Sequence, residues 1–157
     1  PLKYNEDLKN LGWEVYDQLN EYVKFYDKYL EKTASFKSLF NFNIEYDTLH
    51  TELLSIANDF KTVKSKVENY NVINRNILNQ NQINYLDCLI DYSNSVNEAI
   101  DKFTEISFDC LNVSKEYDKF KNDFTYDKLS QKINDYDIKV EKYVKVSENL
   151  SILFNSL

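Results

Sequence analysis

The chain contains one histidine, His50, and this limits the chemistry that its side chains could perform. Asp47 precedes His50 by three residues, a spacing that places two side chains on one face of a helix. Di-iron bundles use a similar pair, but they require a second histidine and further carboxylates. A catalytic triad would need a nucleophile on a sharp Gly-rich turn, and no such turn is present. We therefore predict no catalytic residue, no metal site and no cofactor, and we interpret His50 as an exposed residue.

Two cysteines, Cys88 and Cys110, are the other candidates for chemistry, and they lie 22 residues apart. If both lie on one helix, their Cα atoms are about 33 Å apart, given a rise of about 1.5 Å per residue. A disulfide requires a separation below about 7 Å, so we predict two free thiols. Free thiols favour a reducing, cytoplasmic setting. The chain also begins at Pro1 and has no methionine, so we interpret it as a processed piece from which any secretion signal has been removed.

The chain carries a formal net charge of −7, and its acidic residues concentrate in one segment. Residues 83–124 hold nine acidic side chains and four lysines. Scattered lysines and a single arginine argue against nucleic acid as a partner. The carboxylates are either a solvated face or a docking surface for a basic protein. Six of them recur on one predicted helix face, which we call the acidic strip: Asp87, Asp91, Glu98, Asp101, Glu105 and Asp109.

Long helices must carry these residues, because the chain has only one glycine and one proline to interrupt them. In the third predicted helix, twelve apolar or aromatic residues alternate at spacings of four and three. That is the period of a helix packed along its length against other helices. The twelve residues of this seam are Tyr85, Leu89, Tyr92, Val96, Ala99, Phe103, Ile106, Cys110, Val113, Tyr117, Phe120 and Phe124.

Four helices are predicted, over about residues 5–40, 44–78, 83–121 and 127–155, and the other three carry similar seams, of which the second extends to Ile73 and Ile77. Asparagines cluster between them, because Asn competes for backbone hydrogen bonds and favours caps and turns. We place the turns at about residues 41–43, 79–82 and 122–126. Such short turns force neighbouring helices to run antiparallel. The alternative is a kinked rod in which the second and third helices are continuous.

The apolar faces are too wide for a two-stranded coiled coil, because large apolar residues such as Tyr16, Leu54 and Val144 flank the seams. A four-helix bundle covers such faces. We therefore predict an all-α fold, an antiparallel up-down-up-down four-helix bundle with long helices and short Asn-rich turns, in a single domain over residues 1–157. Gly12 costs about 1 kcal/mol inside the first helix. We expect this glycine to admit a large side chain or a backbone from a neighbouring helix.

Tyrosine is frequent, with thirteen residues, and many of them occupy seam positions. A buried tyrosine hydroxyl needs a hydrogen-bond partner. Either these hydroxyls reach the rim of the core or an asparagine, or the core is imperfect and the bundle can open.

These observations favour a non-enzymatic helical interaction or scaffold domain that binds another protein through a helix face. The partner is basic if the acidic strip is the contact surface. The helical pattern and the Asn-, Lys-, Ile-, Tyr- and Asp-rich composition are also similar to those of small helical bundles that apicomplexan parasites secrete. That resemblance implies an alternative, a secreted factor of an AT-rich-genome parasite that acts in host-cell traversal, adhesion or membrane interaction. The sequence leaves membrane contact and oligomeric state undecided.

Overall fold

Long helices account for nearly all of the chain that the computed structural model describes, which is residues 2–30, 46–115 and 126–157. These residues form four α-helices: α1 (Leu2–Leu30), α2 (Tyr46–Asn74), α3 (Gln80–Lys115) and α4 (Tyr126–Asn155). A short 3-10 helix, Arg75–Ile77, follows α2. The prediction of an all-α four-helix bundle is confirmed.

Ion pairs between neighbouring helices show that the bundle runs up-down-up-down. In each neighbouring pair, residue numbers rise along one helix as they fall along the other. The interhelix pairs include, in order from α1 to α4, Lys28–Glu52, Lys66–Glu14, Lys61–Asp101, Arg75–Asp87, Lys132–Asp109 and Lys142–Glu98. The alternative of one continuous rod through α2 and α3 is thereby excluded.

The core follows the predicted seams, with α3 as the central helix because it contacts each of the other three. All eight seam residues from Tyr85 to Cys110 are buried. Phe103 lies at the centre of an aromatic cluster. Its ring centroid is between 5.5 and 6.5 Å from those of Tyr22, Phe25, Tyr26 and Tyr136. The other four seam residues, Val113, Tyr117, Phe120 and Phe124, lie outside the described side chains.

Asparagine closes the turn between α2 and α3, as predicted. Asn79 Oδ1 accepts the backbone N–H of Gln82 at 3.0 Å, and Gln82 Oε1 accepts the backbone N–H of Asn79 at 2.9 Å. This is a reciprocal capping box built from amides. Across the same turn, the Arg75 guanidinium donates two hydrogen bonds to the Asp87 carboxylate, at 2.5 and 3.1 Å. Local polar contacts therefore fix the reversal without a glycine.

The predicted helix ends need correction at this turn. The second helix ends at Asn74 rather than near residue 78, and the third begins at Gln80 rather than near residue 83. The turn therefore covers residues 75–79 rather than 79–82. Because the chain leaves the α-helix at Asn74, Leu78 enters the core, whereas Ile73 and Ile77, placed on the second seam by their spacing, are exposed.

Elsewhere the predicted ends agree more closely or fall outside the described residues. α1 begins at Leu2 rather than near residue 5, and α4 covers residues 126–155, within one residue of the prediction. The predicted helix ends near residues 40, 44 and 121 lie in the ranges 31–45 and 116–125, which are not described. The first predicted turn lies there too, and so does nearly all of the third.

α1 and α4 are the neighbouring helices that pack against each other least. At one end of the bundle, Asn5 Nδ2 donates a hydrogen bond of 2.6 Å to the carbonyl oxygen of Leu157. Towards the other end, the hydroxyls of Tyr22 and Tyr136 are hydrogen-bonded to each other. Between these contacts the two backbones stay apart, and the seam of α4 is only partly buried from Val140 onwards. The result is a groove between α1 and α4.

Candidate functional site

The groove between α1 and α4, which we call the α1–α4 groove, has a volume of about 550 Å³. Two buried tyrosines of α3 form its floor, and α1 and α4 form its walls. This volume lies within the range of small-molecule and side-chain binding pockets. The lining residues are Gly12, Trp13 and Tyr16 of α1, Tyr85 and Tyr92 of α3, and Ser147, Leu150, Ser151, Phe154 and Asn155 of α4.

Aromatic rings form a continuous array across the groove. The Trp13 ring packs edge-on against Tyr16 and against Phe154, with both centroid distances at 5.8 Å. Phe154 in turn lies 6.1 Å from Tyr85. Trp13 remains 53% exposed and Tyr16 48% exposed, although both are large apolar groups. Exposed tryptophan and tyrosine side chains of this kind are enriched at protein interfaces.

Gly12 has the role that the sequence indicated, since it admits a large side chain from a neighbouring helix. A Cβ atom at this position would overlap the hydroxyl oxygen of Tyr85, and it would lie 3.4 Å from the ring carbon that carries that hydroxyl. The missing side chain therefore lets a tyrosine of α3 reach the backbone of α1. This contact forms the floor of the groove.

The Tyr85 hydroxyl is the main polar group at the bottom of the groove. Tyr85 is only 1% exposed, and its hydroxyl makes no hydrogen bond within the described part of the chain. Burial raises its pKa well above the usual value for tyrosine, so the hydroxyl keeps its proton. The lining serines offer less, because Ser147 and Ser151 donate to the carbonyl oxygens of Val144 and Ser147. The hydroxyls of Tyr16 and Tyr92 likewise make no hydrogen bond within the described residues, so the groove offers an aromatic surface with several available hydroxyls.

Carboxylates border the groove on both walls. On α1, Asp17 follows Trp13 by one helical turn, and on α4, Glu148 precedes Ser151 by three residues. Burial raises the pKa of Tyr26, and the charges of Asp137 and Asp27 raise it further, which places both carboxylates beside the α1–α4 contact. We call the following five residues the rim carboxylates: Asp17, Asp27, Asp137, Glu141 and Glu148.

The rim carboxylates lack cations of their own. None of the five forms an ion pair within the described residues. Burial and the charge of neighbouring Glu141 raise the pKa of Asp137, as expected for a carboxylate among like charges. Three lysines lie nearby: Lys9 Nζ is 5.4 Å from the centre of the Phe154 ring, Lys24 precedes Asp27 by three residues, and Lys145 precedes Glu148 by three. The rim therefore carries an excess of negative charge.

The acidic strip of α3 has the opposite arrangement, because five of its six carboxylates pair with cations of the bundle. Lys132 bridges two members of the strip, and Lys102 adds a second contact to one of them. Asp91 is the one member without an ion pair among the described residues. The pairs are Asp87–Arg75, Glu98–Lys142, Asp101–Lys61, Glu105–Lys102, Glu105–Lys132 and Asp109–Lys132, at 2.5–3.6 Å. A docking role for this strip stays a prediction.

The interpretation of His50 as an exposed residue is wrong, because it is half-buried and bonded to α3. Its Nδ1 lies 2.8 Å from the hydroxyl oxygen of Ser107, which itself donates to the carbonyl oxygen of Thr104. The imidazole N–H therefore donates to Ser107. Ser107 lies within α3, where backbone N–H groups are committed to the helix and cannot form an oxyanion hole. Burial lowers the pKa of His50, partly offset by Asp47, so the ring stays neutral near pH 7.

The two cysteines are free thiols, as predicted. Cys88 lies in a second cleft, between α3 and α4, where Asn149 Nδ2 donates to its sulfur at 3.8 Å. Burial raises the pKa of Cys88, and it raises that of Cys110 to about 12. The thiols therefore stay protonated, whereas nucleophilic cysteines are thiolates.

Comparisons with known proteins do not place the chain in a family. It matches no protein-family model, no curated protein and no solved structure. Within the described residues, no group of three or more His, Cys, Asp or Glu side chains is arranged to hold a metal ion. No helix in the same ranges is both long and apolar enough to cross a membrane. The secreted alternative stays a prediction.

The α1–α4 groove was not predicted, although the sequence contains one signal for it. Lys132 and Lys142 of α4 pair with the strip and therefore face α3. Asp137, Glu141 and Glu148 share another face of the same helix, at spacings of four and seven residues. A helical projection of residues 126–155 shows these two faces, which indicates that the two sides of α4 have different neighbours.

Proposed function

We propose that the chain is a non-enzymatic helical interaction domain that binds another protein through the α1–α4 groove. The groove is a concave aromatic surface whose walls belong to two helices, and helices of partner proteins commonly dock in such grooves. Its exposed rings are of the types that dominate binding energy at interfaces. Binding would cover apolar surface that the bundle itself leaves in contact with water.

The observation that carries this proposal is the Tyr85 hydroxyl at the floor of the groove. This hydroxyl lines the groove and makes no hydrogen bond within the described residues, so a ligand can pair with it. The chain brings it there by means of a glycine on the facing helix, at a cost in helix propensity.

A non-enzymatic role is also supported by the surroundings of the polar groups. His50 and Ser107 are hydrogen-bonded to each other, and Ser107 is buried. The thiols of Cys88 and Cys110 are held in their protonated form. These groups stabilise contacts between helices, which is the ordinary role of half-buried polar residues in a bundle.

Site-specific photocrosslinking tests the proposal. A photoreactive benzoylphenylalanine replaces Tyr16, and in a matched variant it replaces Leu54, an exposed apolar residue of α2. Both variants are irradiated in extract from the source cells, and the products are identified by mass spectrometry. We expect one partner protein to crosslink to position 16 and not to position 54. Equal crosslinking at the two positions, or products made only of this chain, would contradict the proposal.

A further inference from the structure

The α1–α4 groove has a charge pattern that identifies the class of partner. We infer that the groove accepts a basic amphipathic helix, with an apolar strip that enters the groove and lysines or arginines along both sides. This inference rests on the function proposed above and adds the chemistry of the occupant. It depends on the shape of the groove and on the charges at its rim.

The shape favours a helix that lies along the groove and inserts a few side chains. The groove lining on α1 runs from Gly12 to Tyr16, and the rim carboxylates continue past it to Asp27, so Trp13 and Asp27 are about 21 Å apart at a rise of about 1.5 Å per residue. A volume of about 550 Å³ accommodates several large side chains but not a whole helix with its backbone. The partner backbone would therefore lie above the rim, between α1 and α4.

The charges favour a basic partner, because both walls of the groove carry unpaired carboxylates. A helix lying along the groove would have Asp17 and Asp27 on one side, and Asp137, Glu141 and Glu148 on the other. Lysines or arginines flanking its apolar strip would meet these carboxylates on both sides. An acidic helix would add like charges to a rim where the pKa of Asp137 is already raised.

Lys9 does not reverse this conclusion, because it lies at one end of the groove over the face of Phe154. Its charge is partly satisfied there by the aromatic ring. The rim carboxylates extend away from it, towards the contact between Tyr22 and Tyr136. The strongest attraction for a basic helix is therefore expected at that end.

Trp13 provides a direct readout, since it is the only tryptophan of the chain and lies in the wall of the groove. The probes are three synthetic helices of about 18 residues, roughly 27 Å long. All three carry the same leucine strip, with lysine, glutamine or glutamate at the remaining positions. Binding is followed by the emission of Trp13 at two salt concentrations. Circular dichroism of each peptide alone records its helicity, so that affinities can be compared at known helix content.

We expect the lysine peptide to bind at least about tenfold more tightly than the glutamine peptide at low salt, with the difference shrinking as salt screens the rim. The glutamate peptide should not bind. Equal affinity of the lysine and glutamine peptides would overturn the inference of a basic partner. Absence of binding by all three would overturn the inference of a helical partner. In both cases the crosslinking at position 16 still decides the proposed function.

A pair of charge reversals separates the groove from the acidic strip. Glu148→Lys changes the rim, and Asp91→Lys changes the strip at a position that is equally free of ion pairs. Both residues are exposed, so both variants should keep the circular dichroism spectrum of the wild type. We expect Glu148→Lys to lower the affinity for the lysine peptide about tenfold, and Asp91→Lys to lower it less than about twofold. The reverse order would move the basic partner to α3 and overturn the inference.

Discussion

The acidic strip of α3 and the rim of the α1–α4 groove are both rich in carboxylates, yet they differ in what surrounds them. In the strip, five of six carboxylates pair with lysines or an arginine of the same molecule. At the rim, none of five has such a partner among the described residues. α4 supplies cations to the strip and carboxylates to the rim. The comparison teaches that a count of acidic residues does not identify the surface where negative charge remains available.

The apolar residues behind the two surfaces differ in the same way. Behind the strip, the seam of α3 from Tyr85 to Cys110 is buried by the other helices. Beside the rim, Trp13 and Tyr16 stay about half exposed. The strip therefore lies over a completed core, whereas the rim borders apolar surface that another molecule can still cover.

The largest expected effect is on the core that both surfaces share. Phe103 is 0% exposed and contacts four aromatic rings, so Phe103→Asp would bury a charge without a partner. We expect a loss of more than about 4 kcal/mol in the free energy of unfolding, enough to unfold the domain. Thermal melting followed by circular dichroism measures it. Phe108→Asp is the matched control, because Phe108 lies on the same helix and is 50% exposed. Equal effects of the two substitutions would contradict the core described above.

The second effect concerns the floor of the groove. Gly12→Ala should gain about 1 kcal/mol in helix propensity, but its Cβ would overlap the Tyr85 hydroxyl, at a cost of about 1–3 kcal/mol. We therefore expect a net loss of stability in the wild-type background. With Tyr85→Phe, the nearest ring carbon remains at an ordinary contact distance, 3.4 Å, and Gly12→Ala should become stabilising.

Urea unfolding of the two single variants and the double variant measures the coupling, expected to be about 2 kcal/mol. Additive effects would show that glycine is not required for the Tyr85 contact.

The third prediction compares the pH dependence of the two surfaces. Hydrogen bonds from Lys132 and Lys102 lower the pKa of Glu105 in the strip. The ionised Glu105 therefore stabilises the folded state at neutral pH, and this stabilisation is lost as the carboxylate is protonated. Burial and Glu141 raise the pKa of Asp137 at the rim, so the folded state gains stability as pH falls through that raised pKa. At pH 7, Glu105→Gln should cost up to about 1 kcal/mol, and Asp137→Asn should be neutral or stabilising by a few tenths.

Urea unfolding of both variants between pH 3 and pH 7 tests this contrast, because each difference from wild type should shrink towards zero at the acidic end. At neutral pH, the changes in the free energy of unfolding caused by Glu105→Gln and by Asp137→Asn should have opposite signs or clearly different sizes. Equal destabilisation by Glu105→Gln and Asp137→Asn would mean that the rim carboxylate has a cationic partner after all.

The smallest effect comes from His50, which belongs to neither surface. Burial lowers its pKa in the folded state, so the unfolded chain binds the proton more readily. Stability should therefore fall by less than about 1 kcal/mol as pH drops through about 6.5 and below. His50→Gln removes this titration and keeps a donor for Ser107. If His50→Gln and the wild type show the same pH dependence of unfolding between pH 5 and pH 7, that dependence comes from groups other than His50.

The sequence predicts the fold well because the apolar spacing that indicates a packed helix is repeated in every helical turn. The seam of α3 from Tyr85 to Cys110 was identified residue by residue, and all eight members are buried. Helix ends have no such repeated pattern, so individual contacts determine where a helix begins or ends. Because of the capping box of Asn79 and Gln82 and the 3-10 turn at Arg75–Ile77, the observed turn begins several residues before the predicted one.

The candidate site could not be predicted in the same way, because it depends on how far apart two helices lie. Periodicity shows that Tyr16 and Val144 are apolar positions beside a seam, but not whether another helix covers them. Charge counts identified the strip and missed the rim, since pairing depends on which helix faces which. Gly12 was the exception, because an isolated glycine in a helix indicates close approach even without knowledge of the partner.

α4 contributes only two buried side chains among its described residues, Leu129 and Tyr136, whereas α1 contributes five. It packs mainly against α3, and its contact with α1 is the weakest between neighbouring helices. The bundle would therefore open first along the α1–α4 contact, with α4 still held on α3. In native-state hydrogen exchange, this opening should precede global unfolding, so amides of α1 and α4 should exchange before those of α3.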